Sequence, residues 1–189
     1  MSVTTKLKTQ TIKLRDHQIS ILLSDAQAAS LGGASSVRSP SDRNALLWPD
    51  QLVGLAGNMA LCLWRDGDLR SYSDMRWWQN NNRYSGDGGC DLPRCRFDIK
   101  TSLMRSSRDP ADYRLAVRPR ERHKSQVYGL ALIPKSNIDD LTNGIDVILV
   151  GWCEDSDFYE HPESFGPFSG AYTLMSHELN PFPPMRYCR

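Results

Sequence analysis

The chain has almost no excess charge of either sign. Its 23 lysine and arginine residues stand against 22 aspartate and glutamate, a formal net charge of +1 over 189 residues. A uniformly basic nucleic-acid binder does not look like this, so any phosphate contact has to come from a local patch. Long apolar runs are missing as well. No stretch approaches the roughly 18 apolar residues needed to span a bilayer, so a helical span is not seen and a membrane is not expected as a partner. The opening MSVTTKLKTQTIKLRD carries cations with no apolar block behind them, so a secretory leader is not expected and the cytoplasm is the expected compartment. Paired cysteines are not indicated: Cys62, Cys90, Cys95, Cys153 and Cys188 make an odd count of five. Reduced thiols are the expectation. Only Cys90 and Cys95 are close together, and His17, His123, His161 and His177 are scattered. The four clustered ligands of a structural zinc site are therefore not in view, and the thiols read as small buried hydrophobes.

What remains is an ordinary globular composition, 40 % hydrophobic and 24 % charged, which fits one domain over residues 1–189. The segment Ser2 to Leu14 alternates aliphatic residues with Thr and Lys and predicts a short strand or arm. In LRDHQISILLSDAQAASL, apolar residues recur at helical spacing, with Asp16 as the N-cap and Gly32-Gly33 as the stop. A loop rich in Gly, Ser and Pro follows. A second helix is predicted from Pro49 to Asp66, where Leu52, Leu55, Met59 and Leu63 form a stripe. Gly54 and Gly57 in its interior each cost about 1 kcal/mol relative to alanine, and close approach to another backbone is the simplest reason to keep them. The stretch from Asp68 to Gly89 is polar and aromatic; Trp77 and Trp78 are expected against the core edge, and the Asn/Gly run after them is turn material. RCRFDIKTS, YRLAVRP, VYGLALIPK and DVILVGWCE then follow as four short strands. Two helices before four strands predict an α/β (α+β) fold with a central mixed β-sheet flanked by helices. The Pro- and aromatic-rich tail from Glu160 is expected to wrap the surface.

The chemistry is concentrated in RCRFDIKTS. Side chains alternate across a strand, so Asp98 and Lys100 project from one face while Phe97 and Ile99 occupy the other. Asp91, in the turn GDGGCDLP, precedes Asp98 by seven residues, so two carboxylates and an ammonium can converge. Hard oxygen ligands of this kind suit Mg²⁺, which needs only one or two carboxylates. A lysine beside them can offset charge building on a phosphate. The plainer reading is a solvated ion pair on an edge strand, with Asp87 serving only the turn Gly86-Asp87-Gly88-Gly89. Between residues 94 and 124 cations are in local excess; Arg94, Arg96, Arg105, Arg120, Arg122 and Lys124 are candidate phosphate contacts, although RPRERHK reads equally as a solvated turn. Glu154, Asp155 and Asp157 read as a solvated strand end, with a rival metal cluster as the alternative.

Asp91 followed by Asp98-Ile99-Lys100 resembles the signature of the PD-(D/E)xK nuclease superfamily, which includes restriction endonucleases, Holliday-junction resolvases and phage nucleases. The likeness extends over residues 49–155. GLAGNMA resembles the G-x-x-G-E-x-A helix of phage-type members, and YGLALIPK and DVILVGWCE resemble the strands after the site. The resemblance implies a restriction-endonuclease-like core at 49–155 and hydrolysis of DNA phosphodiester bonds. It implies Mg²⁺ or Mn²⁺ held by Asp91, Asp98 and the backbone carbonyl of Ile99, with Lys100 stabilising charge. It also implies DNA as partner, a homodimer as one assembly that cuts both strands, and a phage or mobile-element origin that would place the chain in a host cytoplasm. One position departs from the pattern. Asn58 stands where the helix carries a glutamate, and an amide can lend an oxygen but no charge. Either Asp91 and Asp98 suffice for an active endonuclease, with Asn58 as an auxiliary ligand, or the chain is an impaired DNA-binding or assembly protein on the same fold.

Overall fold

A computed structural model describes residues 8–31, 48–81, 96–159, 161–163 and 168–182. In chain order these form β1 (Gln10–Leu14), α1 (Asp16–Leu31), α2 (Trp48–Asp66), α3 (Arg70–Asn81), β2 (Phe97–Met104), β3 (Arg114–Val117), β4 (Val127–Pro134), α4 (Lys135–Asp139), β5 (Ile145–Glu154) and β6 (Tyr172–Met175). Four strands make a mixed sheet in the order β1-β5-β4-β2, and β3 pairs with β6 in a separate ribbon. β2 runs parallel to β4 and the other pairings are antiparallel. The α+β class with a central mixed sheet is thus what the chain adopts.

Strand alternation divides the interior into two layers. Val127, Ala131 and Ile133 of β4 pack with Leu22 of α1, Leu52, Ala56 and Met59 of α2, and Tyr72 and Met75 of α3. Tyr128, Leu130 and Leu132 point the other way, onto Leu115 and Val117 of β3 and Leu174 of β6. β4 is covered on both faces, which is why it reads as an unbroken apolar run rather than an alternating one. β5 serves both layers by alternation, with Ile145, Val147 and Leu149 on one and Ile148 and Val150 on the other, and it carries a bulge: Leu130 pairs with Gly151 but Ala131 with Leu149, leaving Val150 as the extra residue. The insertion reverses the face each later residue occupies. Glycine at 151 follows from this, because a Cβ there would come within 2.6 Å of Leu179 Cβ and 2.9 Å of the Asn180 carbonyl oxygen.

Several elements differ from the sequence expectation. The polar and aromatic stretch after Asp68, for which no helix is expected, carries α3, which also takes in Asn80 and Asn81 at the start of the Asn/Gly run expected as turn. Tyr72, Met75 and Arg76 lie at helical spacing on its buried side, and Asp68 accepts the Arg70 amide at 2.9 Å at its start. Trp77 falls on the opposite side and is 67 % exposed, away from the core edge. Asp16 is the first residue of α1, not its cap; Gln18 Oε1 reaches back to the Arg15 amide at 2.8 Å. β3 leaves the main sheet to pair with β6. The tail is interior structure as well as wrapping: Leu174 lies in the β3–β6 layer, and Phe182 enters the helix layer, its ring centroid 5.3 Å from that of Trp64 and 6.2 Å from that of Phe97. Of the two helix glycines, only Gly57 is explained by crowding. A Cβ there would overlap Thr101 Oγ1 and come within 3.0 Å of Thr101 Cβ, whereas Gly54 has open space around it. The neighbour at Gly57 is therefore a side chain of β2, not a backbone. Gly32, Gly33, Asp87, Cys90, Cys95 and Cys188 lie outside the described residues, while Cys62 and Cys153 are buried.

Candidate functional site

β2 forms the edge of the four-stranded sheet, and the sequence of its first four residues alternates between core and rim. Phe97 and Ile99 are buried in the helix layer. Their neighbours Asp98 and Lys100 turn to the face that carries Tyr128 and Leu130, their register partners on β4. Lys100 Nζ lies 2.8 Å from Asp98 Oδ2 and 3.2 Å from Glu121 Oε2. These three side chains are 26 %, 15 % and 13 % exposed, so the cluster is half-sheltered and still reachable from solvent.

Glu121 arrives from the loop between β3 and β4. Pro119–Glu121 form a single 3-10 turn, in which Glu121 Oε2 also accepts the Arg118 amide at 3.2 Å. Tyr128 of β4 donates its hydroxyl proton to the Glu121 carbonyl oxygen at 2.7 Å and ties the turn to the sheet. Burial alone would raise the Glu121 carboxyl, but the Lys100 ammonium and the Arg118 amide prevail and hold it below the ordinary glutamate value. Tyr128 is pushed up to about 12, chiefly by burial, with the charges of Asp155 and Asp98 adding to it.

The rest of this loop is pinned by Asp155. Arg122 Nε lies 2.8 Å from Asp155 Oδ1 and its Nη2 donates to the Asp155 carbonyl oxygen at 3.0 Å. The same guanidinium stacks over Tyr172 at 4.3 Å and Phe158 at 5.1 Å. His123 contributes its backbone amide to Asp155 Oδ1 at 3.2 Å, with Nδ1 2.5 Å from Oδ2. Burial opposes ionisation of Asp155, yet these donors together keep its carboxyl below the usual aspartate value. Arg96 and His123 are the non-glycine residues with positive φ among those described, at 47° and 65°. His123 lies within this loop, and Arg96 is tied to its end, its carbonyl accepting from the Gln126 and Val127 amides. Left-handed backbone at ordinary residues is uncommon and gathers at functional sites.

The candidate residues therefore fall into distinct groups. Asp98 and Lys100 are together, with Ile99 between them and its side chain in the opposite layer. Asp91 and Arg94 lie outside the described residues. Asn58 sits on α2, which packs on the Phe97–Ile99 side of β2; it is buried and its Nδ2 donates to Met75 Sδ of α3 at 3.6 Å. Arg122 is 11 % exposed and engaged inside the fold, unlike a surface phosphate contact. Arg96, Arg120 and Lys124 are exposed around the loop, together with Arg118. Arg105 is exposed too, but it follows the far end of β2, about 16 Å from Lys100 at the usual rise per residue. Asp155 is the loop's anchor and Asp157 accepts the Glu154 amide at 2.8 Å, so this acidic run closes a turn.

Glu121 was not among the candidates. The signal that finds it is topological: parallel pairing of β2 and β4 returns the chain to the end of the sheet where β2 begins, so residues just before β4 meet those early in β2. Among the described residues no three His, Cys, Asp or Glu side chains are gathered as for a metal ion. The donor chemistry at the cluster is nonetheless that of hard oxygen: two carboxylates reach one nitrogen from different elements. No described helix is long and apolar enough to cross a membrane. Compared with protein-family models, with curated proteins and with solved structures, the chain matches none.

Proposed function

We propose that the chain is a divalent-metal-dependent DNA endonuclease that hydrolyses phosphodiester bonds at the start of β2. The observation that carries the reading is the Asp98–Lys100 pair, 2.8 Å apart on one half-sheltered face of an edge strand. Asp98, with Asp91 and the Ile99 carbonyl, would hold Mg²⁺ or Mn²⁺. When bound, such a cation supplies Lewis-acid charge and acidifies water. Lys100 sets an ammonium against the charge that builds on the phosphate. Arg96, Arg118, Arg120 and Lys124 rim the same end of the sheet and would meet the DNA backbone. A host cytoplasm, a phage or mobile-element origin and a homodimer belong to the same reading. In the test, Asp98→Ala and Lys100→Ala each abolish Mg²⁺-dependent cleavage of plasmid or branched DNA with the fold intact. Unchanged cutting by both variants would refute the assignment.

A second reading is favoured by Asn58. With its amide engaged by Met75 and no glutamate at that place in the helix, the chain would bind DNA on the same fold without cutting it. Calorimetry separates the two: no heat with Mg²⁺ or Mn²⁺, alongside retained DNA binding, supports the binding protein.

A further inference from the structure

We propose that Glu121 is the positioning residue for Lys100, an inference that rests on the nuclease reading of the Asp98–Lys100 pair. A lysine side chain has four flexible bonds and loses much rotamer entropy when fixed, so an ammonium that must meet a phosphate has to be held in place. Asp98 does this at 2.8 Å. Asp98 is also the carboxylate assigned to the cation, and oxygens turned toward a cation are shared with the ammonium. Glu121 supplies a hold that does not compete. It comes from a different element and reaches Lys100 Nζ at 3.2 Å. Its own place is secured twice, by the Arg118 amide on its side chain and by the Tyr128 hydroxyl on its carbonyl. The division is one acid for the cation and one for the ammonium. It gives the partly buried Glu121 a task in a loop whose neighbours Arg118, Arg120 and Lys124 all face solvent.

The test uses the full chain and Glu121→Gln, which keeps the shape and an oxygen for the Arg118 amide while removing the charge. Plasmid cleavage with Mg²⁺ is followed at saturating and limiting DNA, and the Lys100 ammonium is observed by its ¹H–¹⁵N signal. The expected result is a kcat lowered roughly ten- to a hundredfold, as for a misplaced catalytic group, with KM for DNA within about twofold and the ammonium signal broadened or lost. A kcat equal to wild type with an unchanged ammonium signal would overturn the proposal, leaving Glu121 a turn-closing residue. A fall in melting temperature with kcat and the ammonium signal preserved overturns it as well. If wild type cuts no DNA with any divalent cation, the nuclease reading fails by itself. The ammonium signal then decides alone: mobile in Glu121→Gln, it supports positioning; unmoved, it overturns it.

Discussion

Gly57→Ala isolates the contact that sets the helix layer against the strand of the site. The added Cβ would overlap Thr101 Oγ1 and approach Thr101 Cβ and Cγ2 at 3.0 and 3.2 Å. Thr101 follows Lys100 on β2, so α2 and β2 must separate or the threonine must turn. Overpacking of this kind costs about 1–3 kcal/mol, and the severity of the overlap argues for the upper half. Replacing a helical glycine by alanine returns about 1 kcal/mol. The net expectation is a loss of about 1–2 kcal/mol, seen as a lower denaturant midpoint at unchanged m-value. Gly54→Ala is the internal control, since the same helix has open space there; it should gain about 0.5–1 kcal/mol. Thr101→Ala supplies the second arm. Its Oγ1 is buried with no hydrogen-bond partner among the described residues, so removing it breaks no bond. In the double variant the overlap is relieved, with a coupling of about 1 kcal/mol in favour of stability. Gly57→Ala as stable as Gly54→Ala, with no coupling to Thr101, would refute the packing argument.

Asp155→Ala should destabilise the fold by about 2–4 kcal/mol in chemical denaturation, because it strands the Arg122 guanidinium between Tyr172 and Phe158 without its partner. Acidification should act through Glu121. Its carboxyl is lowered in the folded state, so its contribution is complete above the unfolded value and is lost as pH falls through the folded one. Melting curves of Glu121→Gln should therefore fall less steeply than wild type between about pH 5 and pH 3, and parallel curves would remove Glu121 as a source of acid sensitivity. Arg120→Ala and Lys124→Ala should each reduce the salt slope of DNA binding by about 0.9, while Arg122→Ala should lower stability and leave that slope alone. Cys153 should resist thiol reagents in the native state, since burial, with the nearby Asp157 and Asp155 charges, pushes its thiol well up from the ordinary value; rapid native labelling would contradict this.

Much of the architecture is written in local pattern. β2, β4 and β5 stand where short apolar runs end in turn residues, and α2 covers Trp48–Asp66 almost as its stripe of leucines and methionine indicates. α3 is obscure in the sequence because, among its described side chains, the buried ones are Tyr72, Met75 and Arg76, with polar residues around them. β3 reads as one of the four strands in the run, and nothing local distinguishes a strand of the main sheet from one that pairs with a tail some 60 residues later.

Period-two alternation was enough by itself to place Asp98 and Lys100 on one face, because that geometry is a property of any extended strand. Which acid would join them, and which amide would not, was settled in three dimensions. Parallel pairing of β2 with β4 carries Glu121 to Lys100, and the packing of α2 on α3 turns Asn58 toward Met75. Contacts between residues far apart in the chain depend on strand direction and helix packing, and neither is encoded in the spacing of neighbouring residues.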